Sequence, residues 1–418
     1  MAEAVNDCFR PAGGLMRLDA ALALLAERIR PVSGVETVPL VQALDRTLAE
    51  TLIAERDVPP HDNAAVDGFA VRAGDVAADG ETRLPVTGRV AAGHPLDRPS
   101  RPGEALRIFT GAPLPEGIDT VVMQEDCRLD GEAVVFGPGP RRGANCRRRG
   151  EDVRTGEAIL EAGIRLRPQE IGLAASVGRA ALEVRTPLRA AVFSTGDEVR
   201  DPGTPAPAGC IYDANRYAIG GLLSGLGCRV TDLGILPDRL AAIRDALERA
   251  AADHHLIITS GGISLGDEDH VRAAVESLGR LHLWRLAIKP GRPLAFGQVG
   301  DAVFAGLPGN PVAAMVTFLR IVRPVILTLA GRRDTAPRFF KVRSAFAYAK
   351  KAGRREWLRA HLVTDAGGEP RAVKHAADGS GILTSMVTAD GLVELPEWVE
   401  AVKEGDPVDF LPFAEVFR

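Results

Sequence analysis

The stretch Leu256-Ile-Ile-Thr-Ser-Gly-Gly-Ile-Ser-Leu-Gly-Asp-Glu-Asp269 decides the fold of this chain. Leu256 to Ile258 form the continuous apolar run of a strand covered on both faces. Gly261 and Gly262 permit backbone conformations closed to other residues, and Asp269 is placed to cap a following helix. Strand, tight turn and helix start, in that order, offer free backbone N–H groups and the positive end of a helix dipole to an anion. Asp267, Glu268 and Asp269 would repel a phosphate there unless a cation mediates, so phosphate with a hard divalent metal is the first functional expectation. The structural alternative is a plain β-to-α turn with a solvated acidic helix start. Similar loops at the ends of neighbouring strands would separate the two.

From Leu188 the chain repeats strand, loop and helix. Ala190–Phe193 leads into Ser194-Thr-Gly-Asp-Glu198, and Arg229–Leu233 leads into Leu236-Pro-Asp238 and a helix with Leu240, Ile243 and Leu247 on one face. A basic loop, Arg285-Leu-Ala-Ile-Lys-Pro-Gly-Arg-Pro293, follows, and Ala302–Phe304 leads into Gly306-Leu-Pro-Gly-Asn-Pro311 and a long helix. Such alternation predicts a parallel sheet with right-handed crossovers, which binds ligands at the carboxyl ends of its strands. Asp197, Glu198, Asp238 and Asp269 are therefore expected at one mouth with the Gly261-Gly262 turn, Lys289, Arg292 and the Gly309-Asn310 turn. Carboxylates joined by water and phosphate oxygens suit Mg²⁺, and the lack of neighbouring Cys or His argues against a dedicated zinc site.

The whole chain sets the bounds. Its 418 residues, 46% hydrophobic and 25% charged, are ordinary for a soluble globular protein of two to four domains, which excludes disorder and fibres. With 51 basic against 55 acidic residues there is no bulk field to draw nucleic acid or a membrane surface. Five scattered cysteines without a C-x-x-C pair predict reduced thiols and a cytoplasmic setting. The most apolar helical stretch, Pro311 to Leu329, is interrupted by Arg320, Arg323 and Pro324, so neither a membrane span nor a signal peptide is expected.

The flanks differ from this centre. Leu18, Leu22, Leu25 and Ile29 predict a helix stopped by Pro31, and a second short helix is expected around Val41 to Glu50. His61-Asp-Asn-Ala-Ala-Val-Asp-Gly-Phe-Ala-Val-Arg72 places Asp67 in a turn before a strand, as an Asx-turn residue or a site residue. Residues 75 to 150 carry short strand-like runs, including Arg107-Ile-Phe-Thr-Gly-Ala-Pro-Leu-Pro-Glu116, and end in Arg141, Arg142 and Arg147-Arg-Arg-Gly-Glu-Asp152. An arginine cluster on a Gly-rich loop is either a solvated face or a holder of several phosphate oxygens. Pro168 opens a helix that ends before Gly178, which should pack back on the N-terminal helices and make 51–152 an insertion. Residues 336 to 418, including Gly379-Ser-Gly-Ile-Leu-Thr-Ser-Met386, are strand-like, with Trp357 and Trp398 in the core or at the edge of a small β-barrel or sandwich and no legible chemistry.

Together these motifs resemble the molybdopterin molybdenumtransferase family, the bacterial MoeA proteins and the similar C-terminal domain of gephyrin. The resemblance rests on Asp62–Val71, Ile108–Pro113, Arg147–Asp152, Phe193–Glu198, Thr259–Ser264, Ala287–Pro293 and Gly306–Pro311, which occur in family order. It implies a multi-domain α/β fold: a helical linker (15–50 and 153–184), a β-rich insertion (51–152), a central parallel α/β molybdopterin-binding-like domain (185–335) and a C-terminal β-barrel (336–418). It also implies a homodimer with the active site between subunits, and conversion of adenylyl-molybdopterin and molybdate to molybdenum cofactor and AMP with Mg²⁺. Carried over residue by residue, Asp67, Thr110, Glu198, Asp238 and Asp269 would be catalytic, with Glu198 and Asp269 also at the metal. Ser260, Gly261, Gly262, Ser264, Lys289, Arg292, Pro308, Asn310 and Arg147, Arg148 and Arg149 would bind substrate. Transient contacts with the adenylyltransferase and with apo-molybdoenzymes are further implications. Three positions depart from the family pattern: Arg292 stands for the lysine of Pro-Gly-Lys-Pro, Phe69 for a tyrosine, and His270 for an aromatic. Two rivals share parts of the pattern. A molybdopterin adenylyltransferase would be about one α/β domain long, and a pterin-binding scaffold would keep the site without turnover.

Overall fold

The computed structural model describes residues 15–262 and 270–417. Ser264, Asp267, Glu268 and Asp269 lie outside the described residues, so the expectations placed on them have no structural counterpart.

Leu256–Ser260 is buried along its whole length and occupies the middle of a six-stranded sheet, as its uninterrupted apolar run requires. The strand order is Arg229–Leu236, Arg189–Thr195, Leu256–Ser260, Ala302–Leu307, Pro293–Val299, Gly279–Arg285. Alternate residues serve two cores. Leu256 and Ile258 pack with Leu18, Leu25, Ile219 and the helical stretch 311–329, whereas Ile257 packs with Phe193, Ile243, Leu247 and Val271 on the other face.

The sheet is mixed where a fully parallel one was expected. Five strands run in one direction, but Pro293–Val299 runs antiparallel to both its neighbours. The reason is the short Gly300-Asp301 link to the next strand, too short for a crossover helix. The reversal has a useful consequence. The loop before Pro293 emerges at the same rim as the carboxyl ends of the parallel strands, because Arg285 pairs with Pro293 and Ala295 with Gly306.

The helix expected around Val41 to Glu50 is absent. Only a 3-10 turn, Leu40–Gln42, forms there, and Asp45 takes the left-handed conformation at φ 64°. Long-range pairing wins over local spacing: Asp45 and Leu48 N–H groups donate to Leu166 and Ile164, and Ala49 N–H donates to Glu183. The helix opened by Pro168 runs Pro168–Ser176, and it shares a core with Val38, Leu48, Leu166 and Val184. Between these segments lies a second six-stranded sheet that contains Gly68–Val71 and Ala105–Ile108.

Toward the C-terminus, Arg355–Thr364 pairs with both Pro370–Lys374 and Gly391–Leu395, which closes a barrel with Phe340–Ser344 and Pro407–Pro412. Trp357 is buried in it and Trp398 is exposed. Residues 379–386, read as strand-like, instead form a loop and the short helix Thr384–Val387. Arg359 explains the loop: its buried guanidinium donates to Ser385 Oγ and to the carbonyls of Ala377 and Gly379. One helical stretch, Pro311–Leu329, is long and apolar enough to cross a membrane, yet 83% of its apolar window is buried inside the molecule, so it is the core of this chain's own fold.

Candidate active site

Three loops at the rim of the central sheet enclose a cleft of about 610 Å³. Gly261 and Gly262 end the strand Leu256–Ser260, Lys289 to Arg292 precede Pro293–Val299, and Pro308 to Asn310 follow Ala302–Leu307. The two glycines have φ of 87° and 64°, and a Cβ on Gly262 would stand 2.8 Å from side-chain carbons of Thr195 and Val271. Only glycine lets the chain turn in that space.

A single amide pins two of the loops together. Asn215 Nδ2 donates to Ser260 Oγ at 2.8 Å and to the Gly309 carbonyl at 2.7 Å, while Ser260 Oγ donates to the Pro308 carbonyl at 3.1 Å. Ser260 is buried, and its one hydroxyl proton is committed to the Pro308 carbonyl, so it shapes the turn.

The third loop is fixed from the barrel. Ile288–Lys289 pairs in parallel with Arg355 and Glu356, and the Lys289–Pro290 bond is cis. Lys289 Nζ donates to Tyr348 Oη at 2.9 Å and to Glu356 Oε2 at 3.3 Å. Partial burial works against the ammonium, but the Tyr348 hydroxyl and the Glu356 charge outweigh it and hold the Lys289 pKa above its ordinary value. Arg354, also at the cleft, donates to the other Glu356 oxygen at 2.8 Å. Ser380 closes the far side, and its carbonyl accepts from Val312 N–H at the start of the helix that follows Asn310. Arg292 lines the cleft and forms no ion pair among the described residues.

The acids divide. Asp238 lies beside the glycine turn, since Thr195 Oγ1 donates to its Oδ1 at 3.4 Å and Thr195 also abuts Gly262. Glu198 is exposed just beyond the carboxyl end of Arg189–Thr195, with its carboxylate folded over Gly196, where a Cβ would meet Oε2 at 2.7 Å. Neither is a wall of the cleft itself. Among the described residues no group of three or more His, Cys, Asp or Glu is arranged to hold a metal ion.

Asp67 and Thr110, 43 residues apart, meet in the insertion: the Thr110 amide and hydroxyl donate to Asp67 Oδ1 at 2.8 and 2.7 Å. Those two bonds, the amide first, lower the Asp67 pKa and keep it ionised. The pair is not part of the cleft within one chain. Of the arginine cluster, Arg148 binds Asp62 at 2.8 Å and Arg149 binds Asp57, so both hold their own loop. Arg147 has neither duty and lines a separate depression with Asn63 and Asp152.

Asn215, Tyr348, Arg354, Glu356 and Arg359 were not singled out from the sequence. Asn215 opens a helix after a strand, which is a detectable signal for a positioning residue. Tyr348, Glu356 and Arg359 sit in barrel strands and Arg354 in the bend just before one, and they give none.

Comparison with known proteins places the chain. Residues 16–178 match the MoeA N-terminal region (domain I and II), 191–328 a probable molybdopterin binding domain, and 341–413 the MoeA C-terminal region (domain IV). The chain is 37% identical over 401 residues to the molybdopterin molybdenumtransferase of Haemophilus influenzae, covering 96% of this chain and 99% of that one. It is 34% identical over 392 residues to molybdopterin molybdenumtransferase 2 of Mycobacterium tuberculosis, covering 91% and 96%. A solved structure of the molybdopterin biosynthesis moeA protein from Pyrococcus horikoshii OT3 superposes with a TM-score of 0.82 at 28% identity, covering 96% of this chain and all of that one. The chain therefore belongs to the molybdopterin molybdenumtransferase (MoeA) family, transferases of molybdenum cofactor biosynthesis.

Proposed function

We propose that this chain inserts molybdenum into molybdopterin at the cleft, taking adenylyl-molybdopterin and molybdate and releasing molybdenum cofactor and AMP, the last step of cofactor biosynthesis. The observation that carries this reading is the convergence of the Gly261-Gly262 turn, the Lys289–Arg292 loop and the Pro308–Asn310 loop on one space. The Gly262 amide suits a phosphate of the pterin nucleotide, whereas the Gly261 amide already donates to the Leu307 carbonyl at 3.0 Å. Lys289, held charged by Tyr348 and Glu356, and Arg292 offset the charge of phosphate and molybdate. Arginine in place of lysine at 292 keeps the charge and offers a planar fork of donors.

Asp67 and Thr110 enter the same reaction through a homodimer, in which the insertion of the partner subunit brings its copy of the pair to this cleft. An ionised Asp67 and an Arg147 without another task fit that role. Magnesium fits as an ion held by one or two carboxylates and by substrate oxygens, since the described residues offer no all-protein cage. Glu198 and Asp269 would hold it, Asp238 would complete the acidic side of the rim, and Ser264 would add a hydroxyl to the phosphate turn. Bound there, the ion would neutralise phosphate charge. The setting is cytoplasmic, without nucleic acid or membrane, and with transient handover from the adenylyltransferase and to apo-molybdoenzymes.

Purified protein given adenylyl-molybdopterin, molybdate and Mg²⁺ tests this. Molybdate-dependent release of AMP is expected. Tight pterin binding without AMP release would favour a scaffold, and formation of the adenylylated pterin from ATP would favour an adenylyltransferase.

A further inference from the structure

A second cavity, of about 340 Å³, lies where residues 164–170, the end of the long core helix and the last turn of the chain meet, and it shares no lining residue with the active cleft. Its walls carry five arginines: Arg165, Arg167, Arg323, Arg332 and Arg338. Two are satisfied, Arg165 by Asp45 and Arg167 by Glu170. Arg323 and Arg332 are not. Arg323 is only 4% exposed, yet among the described residues its guanidinium reaches just the carbonyls of Thr335 at 3.3 Å and Glu415 at 3.1 Å. Among the described residues, the Nε of Arg323 and the Nε of Arg332 are both buried without an acceptor.

The carboxylates of Asp334 and Glu415 also line the cavity but act on Arg323 only through space. Burial, then the neighbouring Arg332 charge, pushes the Arg323 pKa down to about 10. Burial and Arg165 lower that of Arg332 as well.

Local backbone structure keeps Arg332 there. Gly331, at φ 76°, donates to the Thr328 carbonyl at 2.9 Å, and Arg332 N–H donates to Leu327 at 2.8 Å, the paired bonds of a Schellman helix end. The helix C-terminus favours a cation but gives its Nε no acceptor. Two like charges brought together in a protein interior with free donors are costly unless something accepts from them. Asp334 and Glu415 leave arginine in excess at the cavity, a charge balance that suits an anion, and Arg-to-oxyanion geometry favours one with several oxygens.

We propose that this cavity binds a small tetrahedral oxoanion of the inorganic phosphate class, which ties together the segment after the insertion, the end of the core helix and the barrel. Equilibrium dialysis of the full chain against labelled inorganic phosphate, sulfate or molybdate alone, at constant ionic strength, tests it. The parent is expected to bind one more equivalent than Arg332→Gln, or to lose at least tenfold in affinity for that equivalent in the variant, with the tightest of the three anions naming the source. Arg332→Gln should also melt in chloride no lower than the parent, because it relieves a repulsion, and should lose the stabilisation that the anion gives the parent. If Arg332→Gln does not fold, the exposed Arg338→Gln takes its place in the dialysis, with weaker binding expected. Unchanged stoichiometry and affinity in the folded variant, or no saturable binding of any of the three anions to the parent, would overturn the proposal.

Discussion

Lys289 donates to Glu356 at 3.3 Å across the seam between the central sheet and the barrel, and the Glu356 side chain is only 1% exposed. The carboxylate also accepts from Arg354 and Tyr348, so it is the common counter-charge for the basic side of the cleft. Glu356→Gln should destabilise the chain by about 1–3 kcal/mol, the cost of leaving donors poorly matched, read as a shift in the urea unfolding midpoint. The pH dependence has a defined sign. A cation whose folded pKa is raised contributes its full stabilisation below the unfolded value, and loses it as pH climbs through the folded one. The difference between parent and variant should therefore hold from neutrality upward and shrink only above the ordinary lysine value of 10.5.

Asn215→Ala removes the amide that holds Ser260 and Gly309 together. Two loops of the cleft then lose their common anchor while the sheet beneath is untouched. We expect kcat/KM for adenylyl-molybdopterin to fall roughly tenfold, equivalent to about 1.4 kcal/mol, with the melting temperature within a few degrees of the parent. A large loss of stability with normal kinetics would contradict the assignment.

Glycine substitutions give an internal control. Gly262→Ala places a methyl 2.8 Å from Thr195 and Val271 at a φ of 64°, so pterin-nucleotide binding should collapse and stability should drop by about 1–3 kcal/mol. Gly220, inside the helix Asn215–Gly225, has no other atom within 4 Å of the place an added methyl would take. Gly220→Ala should raise stability by about 0.5–1 kcal/mol and leave binding alone. Calorimetric melting and nucleotide titration of the two proteins side by side check both statements.

Much of the cleft was legible because glycine and proline mark where strands end. Gly261-Gly262, Lys289-Pro290-Gly291-Arg292 and Pro308-Gly309-Asn310 each follow or precede an apolar run, and alternation of strand and helix sends them to one rim. What escaped was long-range. Asn215 reaches partners 45 and 94 residues away, and Glu356 sits among the consecutive buried residues of a barrel strand, where nothing local marks it. The misread helix at 41–50 has the same origin. Val41 and Leu44 have helical spacing but are 89% and 49% exposed, while backbone bonds to 164–166 and 183 set the local structure.

Sharing of the site between subunits has its own test. Asp67→Ala and Asp269→Ala proteins, each inactive alone, should regain about a quarter of parental AMP release after subunit exchange, because half the dimers are mixed and each mixed dimer has one intact site of two. Verified mixed dimers without activity would contradict a shared site.

The most direct measurement is a crystal structure of this chain soaked with adenylyl-molybdopterin. The phosphates are predicted to lie within hydrogen-bond reach of the Gly262 amide, with Lys289 and Arg292 facing them. A nucleotide bound elsewhere, with the space between those loops left to solvent, would contradict the account.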